Sequence, residues 1–140
     1  MAIYFYTEGV KFNLNQKAKV KNWLKLVAEK NKHTTGTINF IFTNDELLLE
    51  KNINFLNHTT YTDIITFDYT EGNKISGDIF ISVDRVNENA QKFKVDFYTE
   101  LYRVLTHGVL HLCGYKDKTV NDAKLMRKKE NESLKLMINL

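Results

Sequence analysis

Short apolar runs of strand character alternate with longer stretches whose apolar residues recur at helical spacing, and together they predict nine elements. Ile3–Thr7 is aromatic and β-branched and reads as a strand. Asn13 or Asn15 can cap a helix running to about Asn31, with Val20, Trp23, Leu24 and Val27 on one stripe and lysines opposite. Gly36 then breaks the chain before a second strand, Thr37–Thr43. Asn44 or Asp45 can cap a short helix over Glu46–Asn52. Asp63–Tyr69 and Lys74–Val83 read as two strands joined by the turn Glu71-Gly72-Asn73, a hairpin signal.

Three helices complete the chain. Asp84 is the expected cap of Arg85–Lys92. Asp96 is that of the next helix, whose first turn holds Thr99 and Glu100 and whose Phe97, Leu101, Val104, Leu105 and Leu112 mostly face the core. Gly114 stands where a helix C-terminal glycine belongs. The last helix, about Val120 to Ile138, carries Leu125, Met126, Leu134 and Met137 among many Lys and Arg. The order β-α-β-α-β-β-α-α-α predicts an α+β fold. It is one domain, 1–140, with a small mixed sheet of about four strands packed with about five helices.

Composition narrows the class. The 140 residues are 43% hydrophobic and 26% charged, which fits one globular domain and excludes disorder or a collagen-like repeat. No linker or internal repeat divides the chain. The single Cys113 cannot bridge internally, so a reducing compartment fits. The N-terminus lacks the features of a signal peptide, and no window is long and apolar enough for a membrane helix, so a cytoplasmic protein is expected. The formal charge of +3 permits a polyanionic partner without requiring one.

Chemistry concentrates in Thr106-His107-Gly108-Val109-Leu110-His111-Leu112-Cys113-Gly114-Tyr115-Lys116-Asp117. His107 and His111 lie one turn apart on the predicted central helix, so both imidazoles can converge on one ion. Gly114 ends the helix and lets the chain turn back, which can bring Asp117 in as a third ligand. Such an open tripod suits a catalytic ion better than a closed structural one. A His pair at this spacing is also common in ordinary packing, and an Asp after a helix also serves as a turn residue or cap. Cys113 points elsewhere on the helix and reads as a structural thiol. His33 and His58 lack ligand spacing and read as surface residues. Metzincin proteases share this spacing, but their general-base Glu is Gly108 here, so a metallohydrolase of that type lacks its base.

The same stretch resembles the YbeY family of endoribonucleases, whose signature His-Gly-x-Leu-His-Leu-x-Gly-Tyr is matched from His107 through Tyr115. Thr62-Asp63-Ile64-Ile65-Thr66-Phe67 and Gly77-Asp78-Ile79-Phe80-Ile81 resemble two further family strands, in the same order. The resemblance implies a zinc ion, one per chain, on His107, His111 and Asp117, with His107 and His111 as the catalytic pair. It also implies cleavage of single-stranded RNA in rRNA processing, notably at the 16S rRNA 3′ end, and ribosome quality control. Ribosomes or ribosomal proteins are the implied partners. Two positions depart from the family: its third metal-binding His is Asp117, preceded by Lys116, and an upstream Arg falls at Leu56 in an ungapped alignment. Two imidazoles and a carboxylate also suit iron or manganese. A rival reading is a ribosome-assembly factor that binds rRNA and uses its metal structurally. Arg85, Arg103, Lys116, Lys118, Arg127, Lys128 and Lys129 are candidate phosphate contacts, and Tyr61, Tyr69 and Tyr115 candidate stacking surfaces.

Overall fold

The computed structural model describes residues 2–56 and 62–138, with the backbone alone at Phe55 and Leu56. His58 and Tyr61 lie outside the described residues, as does the Leu56 side chain, so nothing structural bears on those three assignments. The elements are β1 (Ala2–Thr7), α1 (Lys17–Lys30), β2 (Thr34–Thr43), α2 (Asp45–Leu56), β3 (Ile64–Asp68), β4 (Lys74–Ser82), α3 (Val83–Phe93), α4 (Phe97–Leu112) and α5 (Val120–Ile138). This is the expected α+β order.

The sheet runs β1-β2-β4-β3. β1 and β4 flank β2 in parallel, and β3 pairs antiparallel to β4. Alternation along each strand puts Ile3, Ile38, Phe40, Ile79 and Ile81 in a core shared with α1 and α4. Trp23 of α1 is fully buried there, and its indole N–H donates to the Ser133 carbonyl at 2.7 Å, tying α1 to α5. α2 serves the opposite face, where Lys51 Nζ stands 4.7 Å from the Phe80 ring centroid.

Four local expectations are corrected, the first being that Asp96 stands at the N-terminal cap position of α4 but makes no side-chain cap bond. Neither Asn13 nor Asn15 caps α1: the residue before it, Gln16, is left-handed (φ 57°) and makes no side-chain cap bond. Gly36 lies inside β2, where the β2–β4 register shifts between Thr35 and Ile38, so the glycine accommodates a bulge instead of ending a loop. α3 is capped by Ser82, whose hydroxyl accepts from the Arg85 N–H at 3.1 Å, because the helix starts at Val83, one residue before Asp84. Asn44 does cap α2, its side-chain oxygen accepting from the Leu47 N–H at 2.9 Å.

Candidate metal centre and its cavity

Helix α4 carries one buried stripe into the core and a second, mixed stripe into a cavity of about 740 Å³ beside β3 and α5. Glu100, Arg103, His107 and His111 lie along that second stripe at the helical repeat and line the cavity. Gly108 lies between the two histidines. A Cβ there would stand 3.0 Å from Ile79 Cδ1 and 3.2 Å from Ile64 Cδ1, so the missing side chain lets α4 sit close on the sheet. The position that holds a general base in metzincins is therefore a packing contact. After Cys113 the chain turns at Gly114, whose φ of +101° suits glycine, and Asp117 returns to the cavity wall.

His107 is held from both sides. Its Nδ1 lies 2.8 Å from Glu130 Oε2, and its Nε2 lies 3.3 Å from Asp117 Oδ2. Two donors on one tetrahedral ion at bond lengths of about 2.0–2.1 Å stand about 3.3–3.4 Å apart, so the second separation matches two ligands of one ion. His111 lines the same cavity and makes no hydrogen bond to another side chain among the described residues. No three His, Cys, Asp or Glu side chains close into one ligand set among the described residues. The structure thus brings His107 and Asp117 to ligand spacing, and His111 to the same cavity. Cys113 lies outside this lining, and burial pushes its thiol up to about 12, in keeping with a structural role.

Glu130 was absent from the sequence reading. It sits on α5 in the buried row Met126, Glu130, Ser133, Met137, and it is 5% exposed. Its second oxygen accepts from Arg103 Nη1 at 3.1 Å, and the same nitrogen donates to Asn131 at 3.1 Å. Burial alone would raise the Glu130 pKa, but the His107 hydrogen bond and charge, helped by Arg103, bring it below the usual carboxylate value. Burial likewise opposes charge on His107, and the Glu130 hydrogen bond and charge, with Asp117 and Asp63, outweigh it and raise the His107 pKa. A carboxylate on Nδ1 fixes the tautomer that leaves Nε2 free to ligate.

Two more carboxyls were missed. Burial raises the pKa of Asp63, against the His107 charge and a local backbone hydrogen bond. Burial raises that of Glu100 too, with the Asp63 charge adding and Arg103 and Arg127 opposing. Both line the cavity. Of the candidate phosphate contacts, Arg103, Lys118 and Arg127 reach it. Arg85 is committed elsewhere, to Asp45 at 2.8 Å and Glu88 at 2.6 Å. Tyr69 is 59% exposed away from the cavity, and the Tyr115 hydroxyl donates to Asn31 at 2.9 Å. No described helix is long and apolar enough to cross a membrane.

A family model described as endoribonuclease YbeY matches residues 3–137. A relative from Parabacteroides distasonis, also named endoribonuclease YbeY, is 49% identical over 98% of this chain and 96% of its own. One of the same name from Flavobacterium johnsoniae is 54% identical over 88% of each chain. A Thermotoga maritima protein solved in solution superposes with a TM-score of 0.67 at 26% identity, covering 97% of this chain and 89% of its own.

Proposed function

The chain belongs to the YbeY endoribonuclease family, and on that premise we propose that it is a metal-dependent endoribonuclease that cuts single-stranded RNA. The substrate is rRNA, with maturation of the 16S rRNA 3′ end and ribosome quality control as its roles. Ribosomes or ribosomal proteins are its partners, and the cytoplasm its place of work. The observation that carries this reading is His107, held between Glu130 and Asp117 in a cavity that also contains His111.

The donor chemistry fits one zinc-class ion on His107, His111 and Asp117: two borderline imidazoles and a hard carboxylate. When bound, such an ion supplies Lewis acidity toward a phosphoryl oxygen and toward water. Glu130 holds the His107 Nδ1 proton and so directs the Nε2 lone pair into the cavity. Arg103 in turn anchors Glu130. Lys118 and Arg127 stand on the cavity wall, where their charges attract a phosphate backbone. Asp63 lines the same cavity and burial raises its pKa, which supports assigning it the proton delivered to the leaving ribose oxygen. Gly108 offers no proton acceptor, and its contact with Ile79 leaves no room for one, which weighs against peptide hydrolysis.

The test is cleavage of end-labelled single-stranded and duplex RNA of one sequence by the metal-loaded full chain. Internal cuts in the single strand, lost in His107→Ala, are expected. Background cleavage with intact RNA binding would replace this reading with an rRNA-binding assembly factor. The absence of a closed three-donor set among the described residues is the observation that favours that alternative.

A further inference from the structure

The α3–α4 corner holds a smaller cavity of about 270 Å³ that shares Phe93, Glu100, Arg103 and Arg127 with the main one, so the two form a continuous trough. Apart from Arg103 and Arg127, which pair with Glu130, its lining makes no hydrogen bond or ion pair to His107 or Asp117 among the described residues. Phe93 is 53% exposed at the end of α3. It is followed by left-handed Lys94 (φ 58°), and the Lys94 and Val95 N–H groups bond back to Gln91 and Ala90 at 3.2 and 2.9 Å. That closure fixes an exposed aromatic in place. Glu100 is 5% exposed, and its carboxylate has no hydrogen bond or ion pair among the described residues. Arg103 spends only Nη1 on Glu130 and Asn131, leaving its other donors unbonded among the described residues.

With 5% of the residue exposed and no hydrogen-bonded protein partner among the described residues, the Glu100 carboxylate meets solvent through the trough it lines, and a ligand that donates two parallel N–H groups would occupy both of its oxygens. Resting on the endoribonuclease reading, we propose that this annex is a nucleobase subsite that selects guanine in the nucleotide next to the cut. The base stacks on Phe93, its Watson–Crick edge meets Glu100, and Arg103 and Arg127 take the adjoining phosphate. An ionised carboxylate only accepts hydrogen bonds. Guanine presents two adjacent donors, N1–H and the 2-amino group. Adenine and cytosine each set a ring-nitrogen acceptor beside their amino group, and uracil flanks one N–H with carbonyls. Guanine is thus the one standard base whose edge matches both carboxylate oxygens.

The experiment titrates the metal-loaded full chain with the four nucleoside 5′-monophosphates, which have no internal bond to cut, and follows amide chemical shifts. GMP is expected to bind about tenfold or more tightly than AMP, the lower range for a two-bond base contact, and to shift Thr99 and Glu100. Glu100→Gln, which turns one acceptor into a donor, should erase that ratio. Phe93→Ala, at an exposed position, should weaken all four nucleotides alike. Equal affinities in the unaltered chain, or a GMP preference that survives Glu100→Gln, would overturn the subsite. Because binding is read without cleavage, a GMP preference in a protein that cuts no RNA would fault the nuclease reading alone. RNA cleavage with no GMP preference would fault the subsite alone.

Discussion

Removing the Glu130 carboxylate with Glu130→Ala should cost stability and metal affinity together. The carboxylate is 6% exposed at its side chain and accepts from His107 Nδ1 at 2.8 Å and Arg103 Nη1 at 3.1 Å. Charge-assisted hydrogen bonds of this kind contribute about 1.5–3 kcal/mol each, and breaking a buried pair costs about 3–5 kcal/mol. Arg103 keeps Asn131, and the His107 and Arg103 side chains are 21–22% exposed, so water recovers part of the loss. The expected net is about 2–4 kcal/mol, or a fall in Tm of roughly 6–12 °C for a chain of this size. The same carboxylate orients His107, and loss of such a partner lowers metal affinity by about 10- to 100-fold. Glu130→Gln should fall between the two proteins: its amide oxygen can still accept from Nδ1–H, but its NH2 then faces Arg103, donor against donor. Urea titration gives the stability, and competition against a chromogenic chelator gives the affinity. A stability change under about 0.5 kcal/mol would refute the network's energetics. A stability loss with unchanged metal affinity would refute Glu130 as the group that positions His107.

Other outcomes follow from the same geometry. In the metal-free protein, the Glu130 contribution is present above its unfolded pKa of about 4.5 and is lost as pH falls through its lowered folded value. The His107 contribution is full below about 6.5 and is lost as pH rises through its raised folded value. Metal-free stability should therefore decline as pH rises above about 6.5 and through the raised His107 pKa, and a urea midpoint series should find that decline flattened in Glu130→Ala. Gly108→Glu, which supplies the protease-type side chain, should lower stability by roughly 3 kcal/mol or more, since its Cβ meets Ile79 and its carboxylate lacks water. A wild-type melting curve, or peptide hydrolysis by this variant, would contradict that packing. The Cys113 thiol, its pKa about 12, should react with iodoacetamide near pH 8 far more slowly than an unfolded-state thiol, a comparison read by mass spectrometry with and without urea.

The fold was largely legible because its elements are long and strongly periodic. Ile3–Thr7, the Lys74 strand and the two C-terminal helices carry their patterns in adjacent residues. The misreadings were local. Gly36 reads as a breaker, yet a bulge in β2 absorbs it, and only pairing with β4 reveals that. Asp84 is a good cap, but Ser82 comes first once α3 begins at Val83. The His107–His111 pair was visible as i, i+4 spacing, and the Gly114 turn explains how Asp117 returns. Glu130 was hidden by company: α5 is rich in Lys and Arg, where a glutamate reads as one more solvated charge. The available signal was its place between Met126 and Met137 on the buried row, where a carboxylate needs a partner. Glu100 was hidden in the same way, since an acidic residue in a first helical turn already has a reason to be there.

The most direct test is the metal content of the full chain purified without chelators, measured by inductively coupled plasma mass spectrometry beside His107→Ala, His111→Ala and Asp117→Ala. About one divalent ion per chain is expected in the unaltered protein, with near-complete loss in both histidine variants and a weakened hold in the aspartate variant. A metal-free unaltered chain that still cuts RNA, or histidine variants that keep their ion, would contradict the account.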